Sequence, residues 1–414
     1  MMKNIVLLSV PLLALSVAVT SCEEVVDPLD PIQERQLPEG MQAAAATVTD
    51  GNNRFALDLY QVLRKNEGNL FYSPFSISTA FAMTYAGARG ATEKEMAGAL
   101  HFTLDQEQLH EAFGALITSL DTGAGFDGYR LNVANRLWGQ AGFVLLPEFL
   151  EVGRAHYGAE LAQLDFASSQ NATRTINSWV EENTAGKIQN LIPPGVLDQY
   201  TRLVLTNAIY FKGLWLSQFD EDKTQDRDFH VDPTRTVTVS MMQQSGKFPL
   251  GRGEGLRILE LAYQTEDLSM LFILPDRADG LSEVEARLSL ENLRSWMGTL
   301  ADTEMNVAIP RFRVESEFSL RQSLVGMGMP SAFSEGADFS GINTEADLFI
   351  QDALHKAYVE VNEEGTEAAG ATGVVVGTTS IPPTFRADHP FLILIWDKVT
   401  ESILFMGRVV DPSP

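Results

Sequence analysis

The chain of 414 residues is 45% hydrophobic, which is enough apolar material for a large buried core. Its 55 acidic against 30 basic residues give a formal net charge of −25, and nucleic acid and anionic membrane surfaces, which need clustered Lys and Arg, are disfavoured as partners. Cys22 is the one cysteine, so there are no intrachain disulfides and no cysteine-based metal site.

In chain order, Lys3 precedes an apolar run from Ile5 to Val19 that leads into Thr20-Ser21-Cys22. A short charged start followed by an apolar core is the pattern of an export signal. Small residues leading into a cysteine resemble the bacterial lipobox. That resemblance implies removal of residues 1–21, a lipid on Cys22, and anchorage to the cell envelope at the outer membrane or cell surface. An ordinary signal peptide with secretion, or an uncleaved anchor, are the alternatives. Residues 22–51 carry Asp-Pro twice, several acidic residues and the run Ala43 to Ala46, and read as a flexible tether. No second stretch is long and apolar enough to span a bilayer. The folded domain is expected over 52–414, with no linker inside it.

Asn53 to Lys65 places Phe55, Leu59, Val62 and Leu63 on one helical face. Ser73-Pro-Phe-Ser-Ile-Ser opens a second helix that Gly87 and Gly90 bring to an end, and Thr92-Glu-Lys-Glu95 has the capping-box pattern of a third. Gln106 to Leu120 and Ser168 to Gln189 read as helices around a strand at Leu131 to Gly139. Leu203 to Tyr210 is strongly apolar and rich in β-branched residues, a buried strand. Further strands are expected at Thr236–Val239, Leu268–Leu274 and Asn306–Ile309, with a helix over Leu281–Leu300. Ala357–Val361 and Phe391–Trp396 are strands, and another follows from Ile403. The mixture makes this an α+β chain without internal repeats.

Between those last strands lies Glu363 to Pro390, a connection with no helical period and unusually long for a compact domain. From Thr366 to Thr379 it holds Ala, Gly, Thr and Val and a single charge, Glu367. Read as a strand of roughly 45 Å at ~3.3 Å per residue, Thr366, Ala368, Gly370, Thr372, Val374, Val376 and Thr378 share one face. Glu367 falls on the other, so the first face can be buried without stranding an ionised group. The segment has the makings of both an exposed loop and a buried strand.

Asn362-Glu-Glu-Gly-Thr-Glu-Ala-Ala-Gly-Ala-Thr372 resembles the hinge of the serpin reactive-centre loop, and Pro390-Phe391 resembles that family's closing Pro-Phe. Residues 71–104, the stretch INSWVEENTAGKI, LTNAIYFKGLW and the C-terminal strand resemble serpin segments too, so the likeness covers about 53–412. The resemblance implies a single large domain with three β-sheets, eight to nine helices and an exposed reactive-centre loop over 363–390. It implies a hinge at Glu363, Gly365, Thr366, Glu367, Ala368, Ala369, Gly370, Ala371 and Thr372, and a breach at Trp215. It further implies a polar shutter of Ser73, Ser76, Asn207 and His355; a histidine satisfied by backbone alone is the plainer reading of His355.

The family's usual spacing, counted from Glu363, places the reactive bond at Thr379–Ser380, with Thr378–Thr379 one register away. The activity so implied is suicide inhibition of a serine protease, with cysteine proteases as a second target class. The protease would form a covalent acyl complex at Thr379 and be trapped as 366–378 insert into the main sheet. No Lys or Arg lies between Glu363 and Arg386, so trypsin-like targets, whose acidic pocket takes a cation, are disfavoured. Elastase-like or subtilisin-like enzymes fit. Gln106 to Leu120 lacks Lys and Arg, so no heparin site is expected there. The chain is expected to be a monomer and not an enzyme, with no cofactor or metal: HExxH, GxSxG and a phosphate-cradling glycine loop are absent. The rival readings are a non-inhibitory serpin acting as carrier or chaperone, and a lipid-tethered hydrolase.

Overall fold

The computed structural model describes residues 35–123, 129–159, 162–344, 348–366 and 382–413. In chain order the elements are α1 (Gln42–Leu63), β1 (Leu70–Tyr72), α2 (Pro74–Tyr85), α3 (Gly90–Leu100), α4 (Gln106–Gly123), β2 (Tyr129–Gln140), α5 (Pro147–Tyr157), β3 (Ala162–Leu164) and α6 (Ser169–Asn183). Then come β4 (Leu203–Leu214), β5 (Gln225–His230), β6 (Thr236–Gly253), β7 (Leu256–Ala262), β8 (Leu268–Pro275), α7 (Leu281–Ala286), α8 (Leu290–Met297), β9 (Ala301–Pro310) and β10 (Phe312–Ser319). The last are α9 (Arg321–Gly326), β11 (Ala353–Val361), β12 (Gly365–Thr366), β13 (Thr384–Arg386), β14 (Phe391–Asp397) and β15 (Ser402–Val409).

The first helix corrects one expectation. Residues 35–51, read as part of a tether, belong to the folded body, which runs from Arg35. Ala43 to Ala46 looks like low-complexity linker in composition, yet alanine is the best helix former. Here it makes the first turns of α1, with Ala45 and Val48 in the core. Ahead of the helix, Arg35 is buried in an ion pair with Asp397, and its Nε donates to Ser119 Oγ at 3.2 Å. Two helix boundaries also differ. Thr92 and Glu95 form no capping box: α3 starts at Gly90, and the two side chains accept hydrogen bonds from Asp338 and Ser331 instead. The single helix expected over Leu281–Leu300 is two, because Ser289 breaks it and caps the second by accepting from Asn292 N at 3.2 Å.

Among the described residues six strands form one sheet in the order β10-β11-β4-β2-β3, with β12 alongside β4. The other sheet is nine-stranded, and its eighteen-residue β6 joins two arms. One arm carries β5, β9 and β13, and the other runs through β7, β8, β14, β15 and β1. The three sheets implied by the family are therefore one separate sheet and two hydrogen-bonded through β6. In the six-stranded sheet β11 and β4 run parallel, whereas β10–β11 and β4–β2 are antiparallel. A parallel pair leaves a seam that accepts a strand running antiparallel to both neighbours.

Alternation along β4 decides which core each residue joins. Leu205, Ile209 and Phe211 face the main core between the sheets, while Val204, Ala208 and Tyr210 join Trp138, Ile176 and Val180 beneath α6. The amphipathic α6 thus covers one face of the sheet, and α2 packs against β4 from the other side.

Candidate functional site

At the upper end of the seam, the chain leaving β11 turns sharply and re-enters the sheet. Asn362 N donates to Gly365 O at 2.9 Å, and Asn362 Oδ1 accepts from Glu364 N and Gly365 N, both at 3.2 Å. The turn lets β12 lie antiparallel to β4, Gly365 opposite Leu214 and Thr366 opposite Gly213. Only glycine fits at 365: a Cβ there would stand 2.0 Å from Gly213 O. Thr366 is fully buried, its Oγ1 2.9 Å from the hydroxyl of buried Tyr263. Two residues of the hinge already occupy the sheet.

Trp215 holds that turn in place. Its backbone N donates to Glu364 O at 2.8 Å, its indole Nε1 to Asn362 O at 3.1 Å, and its ring stacks on Tyr263 at 4.8 Å. Glu363 is 2% exposed and takes both Arg311 Nε contacts, at 2.7 and 2.6 Å, together with the Thr224 hydroxyl. The carboxylate in turn raises the Arg311 pKa through that hydrogen bond, against some loss from burial. A buried acid so paired fixes where the loop departs.

Lower on the seam, His355 of β11 stands opposite Asn207 of β4. Ser73 N donates to His355 Nε2 at 3.2 Å, so the proton sits on Nδ1 and is donated to Asn207 Oδ1. Asn207 Nδ2 then donates to Ser76 Oγ at 2.7 Å and to Asn135 Oδ1 at 2.6 Å, and Ser76 Oγ donates to Asn135 Oδ1 at 3.0 Å. Ser73 Oγ accepts from Ser76 N at 3.1 Å and donates to Leu404 O at 2.7 Å. Full burial lowers the His355 pKa to about 3, so the imidazole is neutral. Ser73, Ser76, Asn207 and His355 thus form one network that spans the seam, and His355 is satisfied by more than backbone.

Asn135, Tyr263 and Arg311 complete these clusters and were not singled out from sequence. Each lies far from its partners along the chain, and no local spacing marks it. Glu367, Ala368, Ala369, Gly370, Ala371, Thr372, Thr379, Ser380 and Cys22 lie outside the described residues. Among the described residues no group of three or more His, Cys, Asp or Glu is arranged to hold a metal, and no helix is long and apolar enough to cross a membrane.

Comparison with known proteins agrees with this geometry. The profile of the family Serpin (serine protease inhibitor) matches residues 50–412. The leukocyte elastase inhibitor of Sus scrofa is 45% identical over 375 residues, covering 87% of this chain and 98% of its own length. That of Homo sapiens is 42% identical over 379 residues, covering 88% and 99%. A serpin-like protein of Thermococcus kodakarensis is 41% identical over 372 residues, covering 88% and 86%. Among solved structures, uncleaved ovalbumin superposes with a TM-score of 0.82 at 33% identity, over 88% of this chain and all of its own. Human thyroxine-binding globulin does so with 0.83 at 33% identity, over 90% and 100%. A family profile over most of the chain, relatives matched over 86–99% of their own length and a shared fold lead to one conclusion: this chain belongs to the serpin family.

Proposed function

We propose that this chain inhibits serine proteases, with cysteine proteases as a second class, by acting as a suicide substrate. The observation that carries the reading is β12: Gly365 and Thr366 already pair with β4 at a seam whose two walls run parallel. Beyond them to Thr378 the sequence is Gly, Ala, Thr and Val with the single charge Glu367, so nothing in it resists insertion. In the proposed cycle the target's nucleophile attacks the Thr379 carbonyl and forms an acyl-enzyme, and the Ser380 amine leaves with the proton from the target's general acid. The freed strand 366–378 then enters between β4 and β11. The acylated protease is carried across the molecule and distorted, so deacylation stalls. Catalytic groups belong to the target, and this chain supplies bait and stored conformational energy.

The absence of Lys and Arg from Glu363 to Arg386 favours targets with small or apolar pockets, elastase-like or subtilisin-like. The relatives named leukocyte elastase inhibitor support the elastase-like class. A carrier role is the second reading, since thyroxine-binding globulin shares the fold and was solved with thyroxine bound. Its weakness is the permissive hinge, which a carrier does not need.

The deciding experiment incubates the full chain with elastase-like, subtilisin-like and trypsin-like proteases and follows denaturing gels and intact mass. A detergent-stable complex with release of a peptide starting at Ser380 is expected with the first two. Clean cleavage without a complex across the panel would sink the inhibitory reading.

A further inference from the structure

Beside the seam network a cavity of about 400 Å³ opens between α2, α4, α5 and β2, room enough for a small organic molecule. Its place follows from the edge of β2. Among the described residues β3 pairs with β2 only at Trp138, Gly139 and Gln140, so the rest of that edge has no outer strand. Leu131, Asn132 and Asn135 line the cavity there. Buried Met83 and Leu120, with half-buried Ile117 and Leu131, make an apolar wall. Ser76 and Asn135 supply polar lining, and both belong to the network across the seam: Asn135 Oδ1 accepts from Asn207 Nδ2 at 2.6 Å and from Ser76 Oγ at 3.0 Å.

Asp121 alone among the lining residues carries a charge. It stands in the last turn of α4, where the helix's own carbonyls present partial negative charge and disfavour an anion. Partial burial adds to that cost and raises the carboxyl pKa, although the side chain keeps an outlet to solvent. Among the described residues Asp121 makes no ion pair and no hydrogen bond. A carboxylate set against both the helix end and burial, next to an apolar wall, is complementary to one kind of guest. We propose that this cavity binds a small primary amine with an apolar tail, the ammonium at Asp121 and the tail against Met83, Ile117, Leu120 and Leu131. A carboxylate guest meets repulsion at Asp121, and a neutral one leaves the acid unanswered. The amine lies beside Ser76 and Asn135, two members of the seam network. The site stands whether or not the chain inserts its loop.

The test is calorimetric titration of the full chain at about 0.15 M salt, where screening suppresses loose attraction to the acidic surface. Phenethylamine, phenylethanol and phenylpropionate share one shape and differ in charge. Phenethylamine is expected to bind about three- to ten-fold tighter than phenylethanol, the scale of one charge-assisted contact at a partly exposed acid, and phenylpropionate should bind weakest. Methylamine, with the same charge and no tail, should not compete. Asp121→Asn should remove the amine's advantage and melt no lower than the unaltered chain. Ile117→Trp, which fills the cavity from α4, should abolish binding of amine and alcohol alike. No binding of phenethylamine, equal binding of amine and carboxylate, or an amine preference that survives Asp121→Asn would overturn the proposal. Competition by methylamine, or undiminished binding in Ile117→Trp, would put the amine on the acidic surface and remove the cavity site. A lower melting temperature for Asp121→Asn would reveal a structural partner for the carboxylate, against the proposal.

Discussion

His355 couples the seam to proton concentration. Its imidazole titrates near 6.5 when unfolded and near 3 when buried in the fold. Between those values the unfolded chain binds a proton that the folded chain refuses, so stability is full above about 6.5 and declines as pH falls toward 3. The slope is at most about 1.4 kcal/mol per pH unit. His110, lowered to about 4 chiefly by burial, adds a loss in the same direction. Melting temperatures measured from pH 7 to 4 are expected to fall more steeply for the unaltered chain than for His355→Gln. Parallel curves would show that the imidazole does not carry this dependence. At this scale the sequence was informative where a family motif exists: Ser73, Ser76, Asn207 and His355 meet as expected. Asn135 carried no such mark, although its amide closes the same network.

At the scale of elements, α1 and the segment before it distinguish composition from structure. Alanines between acidic and proline-containing stretches look like tether until a partner buries them. Arg35 is that kind of evidence: its guanidinium meets Asp397, which is fully buried at the end of β14 and also accepts from the Thr400 hydroxyl. Removing one member of a buried pair leaves the other uncompensated, at a cost of about 3–5 kcal/mol. Arg35→Ala should therefore lower the melting temperature clearly, and a chain starting at residue 52 should be less stable still. A chain starting at residue 35 should melt like the full chain. Equal melting of all three would return residues 35–51 to the status of tether.

At the scale of the whole molecule, the parallel seam between β11 and β4 distinguishes this sheet from an ordinary antiparallel one. An inserted strand would bond on both edges, adding roughly ten or more backbone hydrogen bonds at about 1 kcal/mol each. For a chain of this size that corresponds to a rise on the order of 10 °C or more in melting temperature. Cleavage confined to residues 367–381 is expected to produce such a rise. An unchanged melting temperature after complete cleavage would exclude insertion. A rise would mark the intact fold as a kinetic product, with the His355–Asn207 network across the seam and the paired Glu363 at its top as the contacts that hold it.

What the sequence determined by itself was local or motif-borne: the apolar runs of β4, β8 and β14, the amphipathic α6, the strand-like alternation after Thr366, and the family those segments resemble. Periodicity and side-chain chemistry are enough for such features, because each is written in consecutive residues. What tertiary structure alone decided was where separate segments meet. It moved the start of the fold to Arg35, joined two arms into one sheet through β6, and brought Tyr263 to Thr366 and Arg311 to Glu363. Contacts between residues distant along the chain depend on strand order and register, and neither is encoded in any one stretch.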